Sequence, residues 1–165
     1  MLKENIIKEL NNQNLPLARE IRKKNKVSGS SDGAYSFTIT GLKLLFPKIS
    51  KKQLIDCITD DNLDGGFDAI FLLRGDKKIH IFDVKNAKDF NYKDLKFFKG
   101  SIKEYIFNKN SRLNGLDVKV KAKIKQVRKV VSNDWKILVY ILRLGDDSPK
   151  NSVDNLFLEL KNTYK

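Results

Sequence analysis

Asp68, Asp83 and Lys85 are the residues of this sequence whose types and spacing best suit chemistry. They lie within residues 60–85, DDNLDGGFDAIFLLRGDKKIHIFDVK, an acid-rich stretch of a chain that carries 33 Lys and Arg against 20 Asp and Glu. Residues 67–74 and 77–85 are rich in Phe and Ile and read as strands, and Gly75 with Asp76 is a hairpin-turn pair between them. With the turn centred there, Leu72 opposes Ile79, Ile70 opposes Ile81 and Asp68 opposes Asp83, while Lys85 opposes Gly66. Side chains alternate along a strand, so Asp68, Asp83 and Lys85 are expected on one face.

Directly opposed residues of an antiparallel pair have Cβ atoms about 4.5–5.5 Å apart. Two carboxylates at roughly 5 Å repel by ~3 kcal/mol even at an effective dielectric of about 20. A divalent cation between them relieves this, as does a retained proton. Hard oxygen ligands suit Mg²⁺ or Mn²⁺, which leave positions open for water and phosphate. An ammonium at Lys85 would orient or help deprotonate the attacking water and offset charge on phosphorus. Gly65 and Gly66, lacking side chains, would let a phosphate backbone approach.

An acid followed two residues later by lysine means little here, because Asp76 with Lys78, Asp94 with Lys96, Asp117 with Lys119, Asp134 with Lys136 and Glu159 with Lys161 share it. Asp83 and Lys85 differ in following IHIF on a strand expected to be buried, and buried strands seldom end in charge without a reason. The competing reading is a surface hairpin with a satisfied Asp–Lys pair. A calcium loop is also weighed: Asp60, Asn62, Asp64, Gly65 and Asp68 match positions one, three, five, six and nine of an EF-hand loop, but the twelfth position is Phe71 rather than Glu. Asp60, Asp61 and Asp64 are therefore read as loop formers, with Asp64 available to a metal's outer shell.

Two short amphipathic helices are predicted over residues 2–12 and 16–26, a loop over 27–33, and a buried helix over 34–46 that Pro47 stops. Ser50 as N-cap, Gln53 at the capping-box position and Ile49 placed to staple against Leu54 start another helix, which runs to about Thr59. A helix follows over 92–108. Residues 116–131 alternate like a strand in VKVKAKIK, but Leu116, Val120, Ile124, Val127 and Val131 share one helical face, which favours helix. Residues 135–142 read as a strand covered on both faces, and 152–164 as a closing amphipathic helix. His80 projects away from the aspartates with Phe82 and Val84 as a packing residue, and Cys57 belongs to the core.

The length is that of one domain that buries roughly two thirds of its unfolded surface. One cysteine and one histidine exclude internal disulfides, thiolate zinc clusters and histidine-relay hydrolases. No stretch approaches the ~20 apolar residues of a membrane span, and the N-terminus lacks the apolar block of a secretory signal, so a cytoplasmic location is expected. The net charge of +13 attracts phosphate polymers; a codon bias toward Lys, Asn and Ile at solvated positions would give the same excess. Lys119, Lys121, Lys123, Lys125, Arg128 and Lys129 form one candidate nucleic-acid contact set. Arg19, Arg22, Lys23, Lys24 and Lys26 form another, and the first is preferred.

DGGFDAI followed by a strand ending FDVK resembles the PD-(D/E)xK, or restriction-endonuclease-like, phosphodiesterases and their Mrr-type branch. Together with AYSF at residues 34–37 and CITDDNLDGGFDAI, it is similar to the N-terminal domain of abortive-infection phage-resistance (AIPR) proteins; FFKGSIKEYIF and WKILVYILRLGD extend the likeness to residues 32–147. The resemblance implies an α/β fold with a restriction-endonuclease-like core, a small mixed β-sheet flanked by helices with extra N-terminal helices. It divides a single domain of residues 1–165 into an N-terminal extension (1–33), a core (34–147) and a C-terminal helix (148–165). It further implies an Mg²⁺- or Mn²⁺-dependent nuclease of phage defence or restriction, with Asp68, Asp83 and the Val84 carbonyl on the metal and Lys85 catalytic. DNA is favoured over RNA, no membrane is involved, and a homodimer would supply the two active sites that cutting both strands requires. The sequence departs from the family in having Asp83 where Mrr and AIPR-like members commonly carry Gln, and Ser36, with Asp32 just before it, where many members have a Glu. A nucleic-acid-binding module that kept the fold without turnover is the alternative, and a defence-related interaction domain a third.

Overall fold

A computed structural model describes residues 2–27, 29–85, 92–131 and 134–143, with the side chains of residues 2–4 left aside. The predicted closing helix over 152–164 and the boundaries that depend on it lie outside the described residues.

The architecture is mixed α/β, three layers deep. In the middle layer β1 (Ala69–Leu73) pairs antiparallel with β2 (Lys78–Lys85), and β2 pairs parallel with β3 (Lys136–Arg143), in the order β1-β2-β3. Antiparallel partners need only a tight turn, whereas the parallel pair needs a long crossover. That crossover contains α4 (Tyr92–Ser101), a π-helical turn (Ile102–Phe107) and α5 (Val118–Val130). The helices before the sheet are α1 (Leu2–Asn25), α2 (Asp32–Leu45) and α3 (Lys51–Cys57).

Alternation along the strands builds two cores. Ala69, Phe71, Phe82 and Val84 pack with Ile21, Tyr35, Ile39, Leu42 and Leu54 of the first three helices. Ile70, Ile79 and Ile81 pack with Phe98, Ile102, Ile106, Val120, Ile124 and Val127 on the opposite face. Asp68, Asp83 and Lys85 share the parity of Ile70, Ile79 and Ile81, so the chain carries them to the α4–α5 side of the sheet.

The hairpin register matches the expectation, with Leu72 opposite Ile79 and Ile70 opposite Ile81. The turn centres on Gly75 and Asp76 as expected, the Lys77 N–H donating to the Arg74 carbonyl (3.2 Å); the strands stop one residue sooner than read, at Leu73↔Lys78, where Lys77 has φ 50°. The α3 capping box forms as read, with Gln53 N–H donating to Ser50 Oγ (3.2 Å) and Ser50 N–H to Gln53 Oε1 (2.8 Å). The ambiguous stretch resolves as helix over Val118–Val130, with the Asp117 carboxylate capping the Lys119 N–H at 2.7 Å. His80 and Cys57 are buried as expected, and His80 Nδ1 meets the Tyr140 hydroxyl at 3.0 Å.

Two readings are corrected. The two N-terminal helices are one, α1, which runs through Pro16. Proline deprives the Asn12 carbonyl of its helical donor and strains the turn before it, and side chains brace that turn: Asn14 Nδ2 donates to the Leu10 carbonyl (2.9 Å) and Ser36 Oγ to the Asn11 carbonyl. The helix expected over 92–108 changes to π geometry at Ile102, where the Asn108 N–H reaches the Lys103 carbonyl (3.1 Å) and Arg128 Nε takes that of Tyr105 (2.7 Å). Both faces of β3 are covered as expected, Tyr140 and Leu142 packing on one core and Ile137, Val139 and Ile141 on the other, although the strand is only half-buried.

Candidate functional site

The site grows from the connection between α3 and β1. Ile58, at the end of α3, forms an antiparallel bridge with Ala69. Just inside it, the N–H groups of Thr59 (2.9 Å) and Asp60 (3.1 Å) both donate to the Asp68 carbonyl, and Thr59 Oγ1 donates to that of Phe67. This clasp draws Asp60 and Asp68 together across the intervening loop. Gly65 and Gly66, at φ +67° and +81°, then turn the loop back so that Asp64 joins them. One carboxylate oxygen from each of Asp60, Asp64 and Asp68 lies within 4.8 Å of the others.

Hydrogen bonds to these carboxylates hold the arrangement. Asp60 Oδ2 accepts from Ser30 Oγ at 3.0 Å, Asp64 Oδ1 from the Gly66 N–H at 2.7 Å, and Asp68 Oδ2 from the Val84 N–H at 2.5 Å. Asp64 also accepts from the Asp61 N–H, and each two-oxygen carboxylate keeps capacity to coordinate an ion beside these bonds. Burial raises Asp60 to about 6, pushes Asp64 upward, and pushes Asp68, only 3% exposed, well above the usual carboxylate range; the charge of Asp64 adds to the rise of Asp60, those of Asp60 and Asp64 to that of Asp68, and that of Asp83 to that of Asp64.

Lys85 is the counter-charge. Burial works against its ammonium, but the charges of Asp68, Asp83 and Asp64 outweigh burial and hold it protonated above its ordinary range. Its Nζ stands 3.7 Å from Asp83 Oδ1. Asp83, 2% exposed, gives its other oxygen, Oδ2, to Arg143 Nη2. Arg143 Nη1 also donates to the carbonyls of Leu142 (2.9 Å) and Asp83 (3.3 Å).

Asp68, Asp83 and Lys85 therefore meet on one side of the sheet, but not as a simple opposed pair. The ladder ends at Ala69↔Phe82, and Asp68 bends out of it, its N–H donating to the Phe82 carbonyl at 3.0 Å. The oxygens that crowd Asp68 are those of Asp60 and Asp64, while Asp83 is engaged by Arg143 and Lys85; the Val84 N–H braces Asp68. Gly65 and Gly66 do not open a passage for a backbone: a Cβ would stand 3.0 Å from Leu116 at the first and 3.2 Å from Phe97 at the second. Their role is the left-handed backbone of the loop.

The preferred basic set divides. Lys119 Nζ donates to the carbonyls of Ile55 (2.5 Å) and Ile58 at the C-terminal end of α3, and burial lowers it to about 8. Lys123 is buried against Asp56, and Arg128 is bound to the carbonyls of Tyr105, Lys109 and Ser111. Lys125 and Lys129 are exposed and Lys121 half-buried. In the other set Arg19 and Arg22 bind Asp32, which removes that acid from the cluster, and Ser36 Oγ is bound to α1.

Sequence reasoning missed Arg143 and gave Asp60 and Asp64 minor parts. An arginine ending the apolar run WKILVYIL is the same kind of signal that singled out Asp83, and the Asp60, Asp64, Asp68 spacing was present in the calcium-loop comparison. No family model, curated protein or solved structure matches the chain.

Proposed function

We propose that this protein is a divalent-cation-dependent phosphodiesterase acting on nucleic acid, with DNA the favoured substrate. The observation that carries the reading is the convergence of Asp60, Asp64 and Asp68 beside the protonated Lys85. An all-carboxylate oxygen set fits a hard cation of the Mg²⁺ or Mn²⁺ kind. Such an ion, when bound, supplies Lewis acidity toward a phosphoryl oxygen and acidifies a water molecule.

The chain's own residues would do the rest. Asp60, Asp64 and Asp68 hold the cation, each carboxylate steadied by a hydrogen bond. Lys85 places a positive charge where negative charge grows on the phosphate oxygens as the water attacks. Its raised pKa makes it an electrostatic and orienting group, not the base that takes the water's proton. The net charge of +13 draws the polyanion in. The resemblance to PD-(D/E)xK and AIPR-type domains supports the same chemistry and extends the proposal to phage defence or restriction.

The test is to incubate the protein with plasmid, linear and single-stranded DNA and with RNA, in Mg²⁺, Mn²⁺ or EDTA, beside Asp68→Asn and Lys85→Ala. Cleavage that needs the metal and disappears in both variants is expected. No cleavage of any substrate, or cleavage that EDTA and both substitutions leave untouched, would contradict the reading.

A further inference from the structure

Arg143 stands at the end of β3 directly beside Lys85, its partner in the parallel register, with Asp83 two residues before Lys85 on the same face. Neighbouring strands lie about 4.8 Å apart, so two cationic side chains are set next to each other and need an anion between them. Asp83 is that anion. Its Oδ2 accepts from Arg143 and its Oδ1 faces the Lys85 ammonium at 3.7 Å. The Arg143 side chain is 8% exposed and that of Asp83 3%, and the guanidinium is fixed further by the Leu142 and Asp83 carbonyls. A guanidinium held by three acceptors cannot swing away without taking from the buried Asp83 its closer cationic partner.

We propose that Arg143 is a positioning residue, which by binding Asp83 reserves that carboxylate for holding Lys85 and withholds it from the cation bound by Asp60, Asp64 and Asp68. The inference rests on the phosphodiesterase reading and changes its assignment: Asp83 acts through Lys85, and the loop supplies the acidic ligands. Lys85 then reaches the reacting phosphate from a point fixed by Asp83, a carboxylate that the cation does not claim.

The test uses the full chain with isotope-labelled lysine. The Lys85 Nζ signal, assigned by its loss in Lys85→Arg, is followed by NMR in wild type, Arg143→Lys, Arg143→Gln and the double variant Asp83→Asn with Arg143→Gln, which leaves no unpaired buried charge. Mn²⁺ affinity is measured in the same proteins by calorimetry, with Asp64→Asn as reference. Expected is a sharp Lys85 signal in wild type that is lost in Arg143→Gln and in the double variant and partly restored in Arg143→Lys. Mn²⁺ affinity should stay within about twofold in the double variant but fall about tenfold or more in Asp64→Asn. In single-turnover cleavage the double variant should lose about 100-fold in kcat with KM little changed. A Lys85 signal that survives in the double variant overturns the proposal. So does a loss of Mn²⁺ affinity there equal to that of Asp64→Asn, since Asp83 would then be a ligand. A wild type that cleaves nothing counts against the phosphodiesterase reading alone, because the Nζ signal and the Mn²⁺ titration still decide what Arg143 and Asp83 do.

Discussion

Asp60, Asp64 and Asp68 are charged groups kept close together and partly out of water, which couples the folding of the chain to pH. The folded pKa of Asp60, about 6, lies above its unfolded value, so the folded chain binds more protons between roughly pH 4 and 6. Stability from this group is fullest when it is protonated and falls as pH rises through that window. His80 works the other way: burial lowers its pKa, so its contribution is lost as pH falls below about 6.5. Comparison with Asp60→Asn cancels the histidine. In EDTA, urea unfolding should show Asp60→Asn gaining on wild type by about 1–3 kcal/mol between pH 4.5 and pH 7.5, and saturating Mg²⁺ at pH 7.5 should reverse the gain, because only the full ligand set binds the ion tightly. An identical difference at both pH values without metal would refute this view of the cluster. For Lys85, whose role is electrostatic, replacement by Ala should lower single-turnover kcat by about 100-fold or more, and Lys85→Arg, which keeps the charge, should retain part of the rate.

The loop between α3 and β1 is the element on which the site depends, and its geometry makes Gly65 sensitive. Alanine there must adopt φ +67° and meets Leu116 at 3.0 Å. Gly65→Ala should therefore cost about 1–3 kcal/mol in chemical denaturation and weaken Mn²⁺ binding with it; unchanged Mn²⁺ affinity would mean that the loop does not shape the site. Much of the surrounding frame was legible in the sequence. The hairpin register followed from period-2 alternation about one turn, and α5 from the single face shared by Val120, Ile124 and Val127. The legible patterns are local. Asp60 and Asp64 join Asp68 through the Ile58↔Ala69 bridge, and Arg143 meets Asp83 through parallel pairing with a distant segment; neither pairing leaves a periodic trace. The unbroken α1 was hidden for a related reason, since Pro16 reads as a breaker until Asn14 and Ser36 of another helix are seen bracing the turn before it.

Over the whole molecule, the excess of positive charge is unevenly available. Lys119 and Lys123 bind α5 to α3, and Arg128 binds the turn after the π-helix, whereas Lys125 and Lys129 face solvent. Lys119→Met should thus cost about 1–2 kcal/mol of stability by leaving helix-end carbonyls without a donor and leave the salt dependence of nucleic-acid binding nearly unchanged. Lys125→Ala should do the reverse, reducing the slope of log affinity against log salt by about 1 while stability holds; fluorescence anisotropy at several salt concentrations separates them. Among the described residues no helix is long and apolar enough to cross a membrane. The most direct measurement of the central claim is an anomalous-difference map from crystals of the protein soaked in Mn²⁺. A peak enclosed by carboxylate oxygens of Asp60, Asp64 and Asp68, with Arg143 still on Asp83, is the predicted result. A peak between Asp68 and Asp83 with Arg143 displaced, or no peak within reach of the three loop carboxylates, would contradict it.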